Sequence, residues 1–340
     1  MKVARYYGAG DIRIEEIPVP DAGPGEMVIR IRASGICGSD VMHWYRQGRG
    51  PVVLGHEIGG EVAAVGEGVT VFEAGDRVSA SHHVPCNTCH YCREGHETVC
   101  DTLRSTNFYP GGFSEYVRLP SINVDRGVYK LPEGMSFEEA TFIEPLACVY
   151  RGQRIAGTGS YKSVLVIGSG ISGLLHVQLA RALGASLVVA TDVNKYRLSA
   201  AGRFGADEVI DAGGDVPGTF RRINKGRPAD IVVLTTGAEK AIIQAFQSVD
   251  RGGTILFFAP ANKGVSVPLP VNDLFWRNEI TLTSSYAANY NEHMISMEFI
   301  RQGKVNVPDM ITHRLPLNGT AEGFRLVETA GESLKVIITP

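Results

Sequence analysis

Ser163-Val-Leu-Val-Ile-Gly168-Ser-Gly170-Ile-Ser-Gly173, followed by Leu-Leu-His-Val-Gln-Leu-Ala-Arg-Ala-Leu-Gly184, is the stretch that decides the fold. Val164 to Ile167 is a continuous apolar run. It ends in a Gly-x-Gly-x-x-Gly turn, and from Ile171 the apolar positions recur at helical spacing. A strand apolar on both faces belongs inside a sheet covered on both sides. The alternation continues with SLVVATD (186–192), KYRLSAAGRFG (195–205), EVI (208–210), ADIVVLTT (229–236), AEKAIIQAFQSV (238–249) and GGTILFFA (252–259). Strands alternating with amphipathic helices are βαβ units, so this part reads as α/β, a doubly wound parallel sheet.

The turn itself points to a dinucleotide. Gly168, Gly170 and Gly173, with Ile171 and Ser172 between them, permit a tight bend and bring backbone amides close to a pyrophosphate at a helix N-terminus. The second apolar strand ends in Asp192, nineteen residues after Gly173. An acid there accepts hydrogen bonds from the adenosine ribose and repels a 2′-phosphate, which favours NAD over NADP. Lys195 and Arg197 lie close enough in sequence to accept a phosphate and work against that preference. The alternative is a Gly-rich turn serving another ligand.

Outside this stretch the character differs. The 340 residues exceed what one core usually serves, so two domains are expected. Short strands punctuated by Gly and Pro are read at 27–33, 60–65, 76–80 and 113–119, which makes the first 120 residues an all-β lobe. The 40 glycines, about 12% against a usual ~7%, fit such turn-rich structure. A capping box, Ser136 with Glu139, opens a helix expected to run to Ala156. After Tyr286 the reading is a helix (293–302), a Pro-bounded loop and a closing strand (335–339) that rejoins the β lobe.

Charge and hydropathy exclude some functions. Lys plus Arg number 33 and Asp plus Glu 36, for a net charge of −3, and no basic run would track nucleic acid or an anionic membrane. No stretch approaches the roughly 20 apolar residues of a membrane span, and acidic residues stand where a signal peptide would be apolar. The expected compartment is the cytoplasm.

Two sets of potential metal ligands remain. Cys86, Cys89, Cys92 and Cys100 are spaced for a tetrahedral metal on a tight turn, and a cytosolic chain has little use for disulfides. Four thiolates close the coordination shell of zinc, which makes the site structural; an iron–sulfur cluster is the alternative. His82, His83, His90 and His96 read as exposed loop histidines. The second set is Cys37 in Gly-Ile-Cys-Gly-Ser-Asp40, His56 and Glu57 in Gly-His-Glu-x2-Gly60, and Glu144 before Pro145. A thiolate, an imidazole and a carboxylate suit a catalytic metal with one open position. Singly, each also reads as a buried thiol, a core histidine or a solvated acid.

Together these motifs, with Gly75-Asp76-Arg77-Val78 and Ile143-Glu144-Pro145-Leu146, resemble the zinc-dependent medium-chain dehydrogenase/reductase family over essentially the whole chain. The resemblance is closest to its sorbitol (L-iditol 2-) dehydrogenase and threonine dehydrogenase branch. It implies a GroES-like β domain (1–152 and 287–340) carrying the structural zinc lobe (86–100), a Rossmann NAD-binding domain (153–286), and an active site in the cleft between them. Cys37 and His56 would bind the catalytic zinc, with Glu57 or Glu144 as third ligand and Asp40 orienting His56. Zinc favours the ionised alcohol, which gives up hydride to the nicotinamide.

By the same resemblance Ser39 would take the alcohol proton. Many relatives end that relay on a histidine five residues after the zinc cysteine; this chain has Met42 there and His43 next, so exit through the cofactor ribose and water is expected. Thr235 and Gly237 would lie under the nicotinamide half, Lys335 near the pyrophosphate, and Cys148 in packing. Trp44, Tyr45 and the 284–286 loop are expected pocket walls. The implied substrate is a secondary alcohol of the polyol, sugar-alcohol or inositol type; threonine-like amino alcohol oxidation, or an NAD-sensing zinc-ribbon protein without turnover, are the alternatives. The assembly implied is a homotetramer or homodimer.

Overall fold

In the computed structural model, which describes residues 1–340, the strands run in chain order as follows. They are β1 (Lys2–Gly8), β2 (Asp11–Glu16), β3 (Met27–Gly35), β4 (Val52–Val53), β5 (Glu57–Val65), β6 (Arg77–Ala80), β7 (Tyr116–Leu119) and β8 (Val128–Lys130). Then come β9 (Ser163–Ile167), β10 (Leu187–Asp192), β11 (Glu208–Asp211), β12 (Ala229–Leu234), β13 (Val249–Phe257), β14 (Thr281–Ser284), β15 (Ile311–Pro316) and β16 (Lys335–Thr339). The chain divides into two compact units: residues 1–147 with 287–302 and 307–340, and residues 148–286 with 303–306.

The second unit is built on one parallel sheet in the order β11-β10-β9-β12-β13-β14. The strand order reverses between β9 and β12, which leaves a crevice at their carboxyl ends. All five residues of β9 are buried. Val164, Leu165, Val166 and Ile167 are at most 1% exposed, each worth up to about 1.5–3 kcal/mol of burial. Leu165 and Ile167 pack with Val189, Val232, Ile255 and Phe220. Phe220 belongs to the helix Val216–Ile223, capped by Asp215.

The first unit holds a three-stranded sheet, β2-β1-β4, and a larger one in the order β15-β16-β3-β5-β6-β8, with β7 also paired to β3. β3 and β5 run antiparallel, and Gly35 pairs with Glu57 at one end of the register. β16 returns to lie beside β3, with Ile337 opposite Gly35. The tail thus rejoins the β lobe as the sequence indicated. Two elements of it were not foreseen, β15 and the helix Thr320–Thr329.

The capping box at Ser136 forms in both directions, Glu139 N to Ser136 Oγ at 3.1 Å and Ser136 N to Glu139 Oε2 at 2.7 Å. The helix it opens is short, Phe137–Ala140, and a second one, Ile143–Ala156, follows. One continuous helix was expected, and Pro145 explains the break. Its missing N–H and its ring exclude a helical partner four residues earlier, so Pro145 is accommodated only in a first turn. The break places Glu144 at the start of a helix.

Candidate functional site

The four-cysteine segment closes on itself. Cys86 Sγ lies 3.9 Å from Cys92 Sγ and 3.6 Å from Cys100 Sγ, and Cys89 Sγ lies 3.6 Å from Cys92 Sγ. A tetrahedral ion with zinc–sulfur bonds of ~2.3 Å has edges of about 3.8 Å, so the spacing fits a single zinc ion. A cluster, which seats its thiolates on separate irons, needs them wider apart. The Thr88 hydroxyl and amide both donate to Cys86 Sγ at 3.5 Å and pull that thiol down to about 5. Burial pushes the Cys92 thiol up to about 12.

The second ligand set assembles from β3 and β5. Cys37 follows β3, His56 precedes β5, and Glu57 is its first residue. Ligand atoms of Cys37, His56 and Glu57 all lie within 4.8 Å of one another. The Nδ1 atom of His56 faces Asp40 Oδ1 at 3.8 Å, which leaves Nε2 for a metal. Asp40, fully buried, is held in turn by the Cys37 amide (3.1 Å) and by Arg46 Nη2 (3.1 Å). Arg46 Nε also donates to the Ser39 carbonyl at 2.9 Å. No sequence motif had singled out Arg46. Burial works against a charged His56, but Asp40, Cys37 and Glu144 outweigh it and hold its pKa well above the usual value. Glu144 is outside the tight triad, and its charge reaches both His56 and Tyr129. Three donor types that zinc accepts thus converge, with room in the shell for one more ligand.

Two expectations are corrected here, for Lys335 and for His82. Lys335 does not stand free for a pyrophosphate: it is 1% exposed, its Nζ pairs with Glu57 Oε2, and it lies 5.4 Å over the Phe142 ring. His43, at the surface, is bonded through Nε2 to Glu328 Oε1 at 2.5 Å. It takes no part beside Cys37. His82 is not an exposed loop residue either, since its ring stands 4.7 Å from that of His56. Ser39 turns its hydroxyl to Cys37 Sγ at 3.4 Å.

In the second unit, the loop after β9 has the shape its glycines suggested. Gly168 has φ +98°, in the left-handed region that favours glycine. A Cβ at Gly173 would strike the Gly168 carbonyl. Gly170 caps the helix Ile171–Ala182 without any side-chain bond, so the amides of its first turn, from Ile171, Ser172 and Gly173, face outward for an anion. Asp192 accepts from the Ser169 amide (2.8 Å) and the Asn194 amide (2.8 Å), one on each oxygen. Arg197 brings its Nη1 to within 3.7 Å of where a Gly170 Cβ would be, and its buried Nε has no partner. Thr235 serves the loop from beneath, its hydroxyl donating to the Gly168 carbonyl at 2.8 Å. Gly237 packs where a side chain would meet Pro260 and Ala261 backbone.

Comparison with known proteins follows the same division. Residues 23–133 match the alcohol dehydrogenase GroES-like domain and residues 172–302 the zinc-binding dehydrogenase family. The chain is 32% identical to a sorbitol dehydrogenase of Bacillus subtilis, over 100% of this chain and 97% of the relative. It is 31% identical to a probable D-xylulose reductase A of Aspergillus clavatus, over 97% and 94% respectively. An alcohol dehydrogenase of Escherichia coli CFT073, solved with NADH, superposes with a TM-score of 0.89 at 26% identity, covering 100% of this chain and 99% of that one. A thiolate–imidazole–carboxylate triad, a closed four-thiolate centre and a dinucleotide loop, in a chain with full-length relatives of this kind, place it in the zinc-dependent medium-chain alcohol dehydrogenase family, among its sorbitol dehydrogenase-like members.

Proposed function

We propose that this protein oxidises a secondary hydroxyl of a polyol to a ketone and passes the hydride to NAD. The convergence of Cys37, His56 and Glu57 carries this reading. These three would hold a zinc ion, whose chemistry is to favour the ionised form of an alcohol. Asp40 and Arg46 keep the His56 ring oriented. Glu144 is assigned to the open side of the triad, as a hydrogen-bonding carboxylate rather than a ligand. With His43 engaged at the surface, the alcohol proton is assigned to Ser39 and from there to the cofactor ribose and water.

In this reading the first unit binds the metal and the alcohol, and the second binds the cofactor. Gly168, Gly170 and Gly173, with the amides of Ile171 and Ser172, take the pyrophosphate, Asp192 takes the ribose hydroxyls, and Arg197 flanks the adenosine. The NADH found in the Escherichia coli structure supports this cofactor. The polyol assignment is supported by the sorbitol and xylulose relatives. The exposed edge strand β14 supports a homo-oligomer, dimer or tetramer, and six cysteines with no disulfide between them suit a cytoplasmic setting. No helix is long and apolar enough to cross a membrane.

The deciding experiment follows NADH formation by the zinc-loaded protein on sugar alcohols, inositols, threonine and simple secondary alcohols. Turnover is expected on the polyols, and Cys37→Ser should reduce it by about a thousand-fold. Turnover of threonine alone, or full activity in the variant, would overturn the assignment. Bound NAD without turnover would turn the reading toward a sensing role.

A further inference from the structure

Beside the metal triad, His82, Tyr129, Tyr290 and His293 gather within the first unit, and the chemistry above uses none of them. The His82 ring lies 4.7 Å from His56 and 3.8 Å from His83, with Phe108 edge-on at 6.1 Å. Tyr129 is stacked on His293 at 5.1 Å and 10°, and tilted against Tyr290 at 5.2 Å. Tyr129 and His293 are each 2% exposed. His293 Nδ1 sits 2.7 Å from the Asn289 carbonyl, which only accepts, so Nδ1 carries the proton and Nε2 is an acceptor. That Nε2 is buried without a partner, as are His82 Nδ1 and, one turn along the same helix, Ser296 Oγ. Burial brings His293 down to about 4, so its ring is neutral at neutral pH. The charge of Glu144 reaches Tyr129 as it reaches His56, and His82 feels His293, so the group is one electrostatic neighbourhood with the triad.

A buried acceptor with no donor is a cost that native proteins rarely tolerate, and it is removed when a ligand supplies the donor. We propose that His293 Nε2, together with His82, forms a hydroxyl-binding subsite that holds a second hydroxyl of the substrate while the first one reacts. This rests on the polyol reading above. An uncharged imidazole accepts an O–H without needing a counter-charge, which suits a polyol better than an amino alcohol's ammonium or a carboxylate. The subsite would distinguish polyols from lone secondary alcohols, because a substrate lacking the second hydroxyl leaves the nitrogen unpaired.

The test compares KM and kcat for sorbitol, butane-2,3-diol and butan-2-ol in the zinc-loaded enzyme with NAD, for wild type, His293→Leu, His293→Gln and His82→Phe. Calorimetric titration of the same proteins with sorbitol gives binding apart from turnover. His293→Leu and His82→Phe should each raise KM for sorbitol and the diol about ten-fold and leave butan-2-ol within about two-fold, with His293→Gln restoring part of the loss. Equal shifts for the diol and butan-2-ol, or no shift for either, would overturn the subsite and make the histidines structural. If His293→Leu does not fold, His293→Gln and His82→Phe decide the same question. A wild type that binds sorbitol without oxidising it, and binds it more weakly in the variants, keeps the subsite and overturns the polyol oxidation. Absence of both binding and turnover overturns both.

Discussion

At Gly35 a side chain would have no space: a Cβ there would come within 2.6 Å of Lys335 Cε and 2.7 Å of its Nζ. The absence of a side chain lets a lysine from β16 reach across β3 to Glu57, and the two charges, 1% and 2% exposed, neutralise each other behind the triad. Removing one partner of such a pair leaves a buried charge unpaired. Lys335→Met is therefore expected to destabilise the metal-free chain by about 3–5 kcal/mol, measured by urea unfolding, and to lose less once zinc is added, because Glu57 then faces another cation. An equal loss with and without zinc would separate Glu57 from the metal. Nothing local in the sequence reveals this pairing, since the residues are 278 apart. Cys37, His56 and Glu57 were legible because each sits in a short motif, whereas the roles of Lys335, Arg46 and His82 depend on what folding brings alongside them.

Among the elements, the segment from Cys86 to Cys100 contributes little burial of its own beyond Cys100 and Thr98, so its conformation depends on the thiolates. Cys92→Ser should lower the zinc content from two ions per chain to one, and make the segment after Pro85 accessible to protease; unchanged metal content would place the second ion elsewhere. Because burial holds the Cys92 thiol up at about 12, metal binding there must displace a proton. Zinc retention should accordingly weaken as pH falls. The element boundaries show where periodicity is a sufficient guide and where it is not. The βαβ alternation is continuous enough to be read directly, while the helix expected from Ser136 to Ala156 is broken by Pro145. The helix Tyr290–Arg301 starts three residues before its apolar pattern suggested, at a capping box of Asn289 and Glu292.

For the whole molecule, the buried histidines set an acid limit. Burial takes His176 from 6.5 to about 3 and His293 from 6.5 to about 4. The unfolded chain therefore binds more protons than the folded one below pH 6.5, so the stability these residues provide is present above that pH and is lost as the pH falls through the window down to 4 and 3. At pH 5 the loss is about 2 kcal/mol per imidazole, to be seen as a lower urea midpoint at pH 5 than at pH 7. Burial lowers His82 and His83 as well, so His176→Leu with His293→Gln should reduce the difference without abolishing it; an unaltered slope would assign it to other groups. The division into a β lobe and a doubly wound sheet was readable from composition and period, since both are properties of long stretches. The pairing of β16 with β3 has a consequence for synthesis. Ile337 lies opposite Gly35 across one sheet, so β3 leaves the ribosome about three hundred residues before its neighbour exists. The second unit, whose last residues are 303–306, is complete by then. The nascent β lobe must wait with an open edge and an unpartnered Glu57, and the order of translation makes the dinucleotide half the older of the two structures in every molecule made.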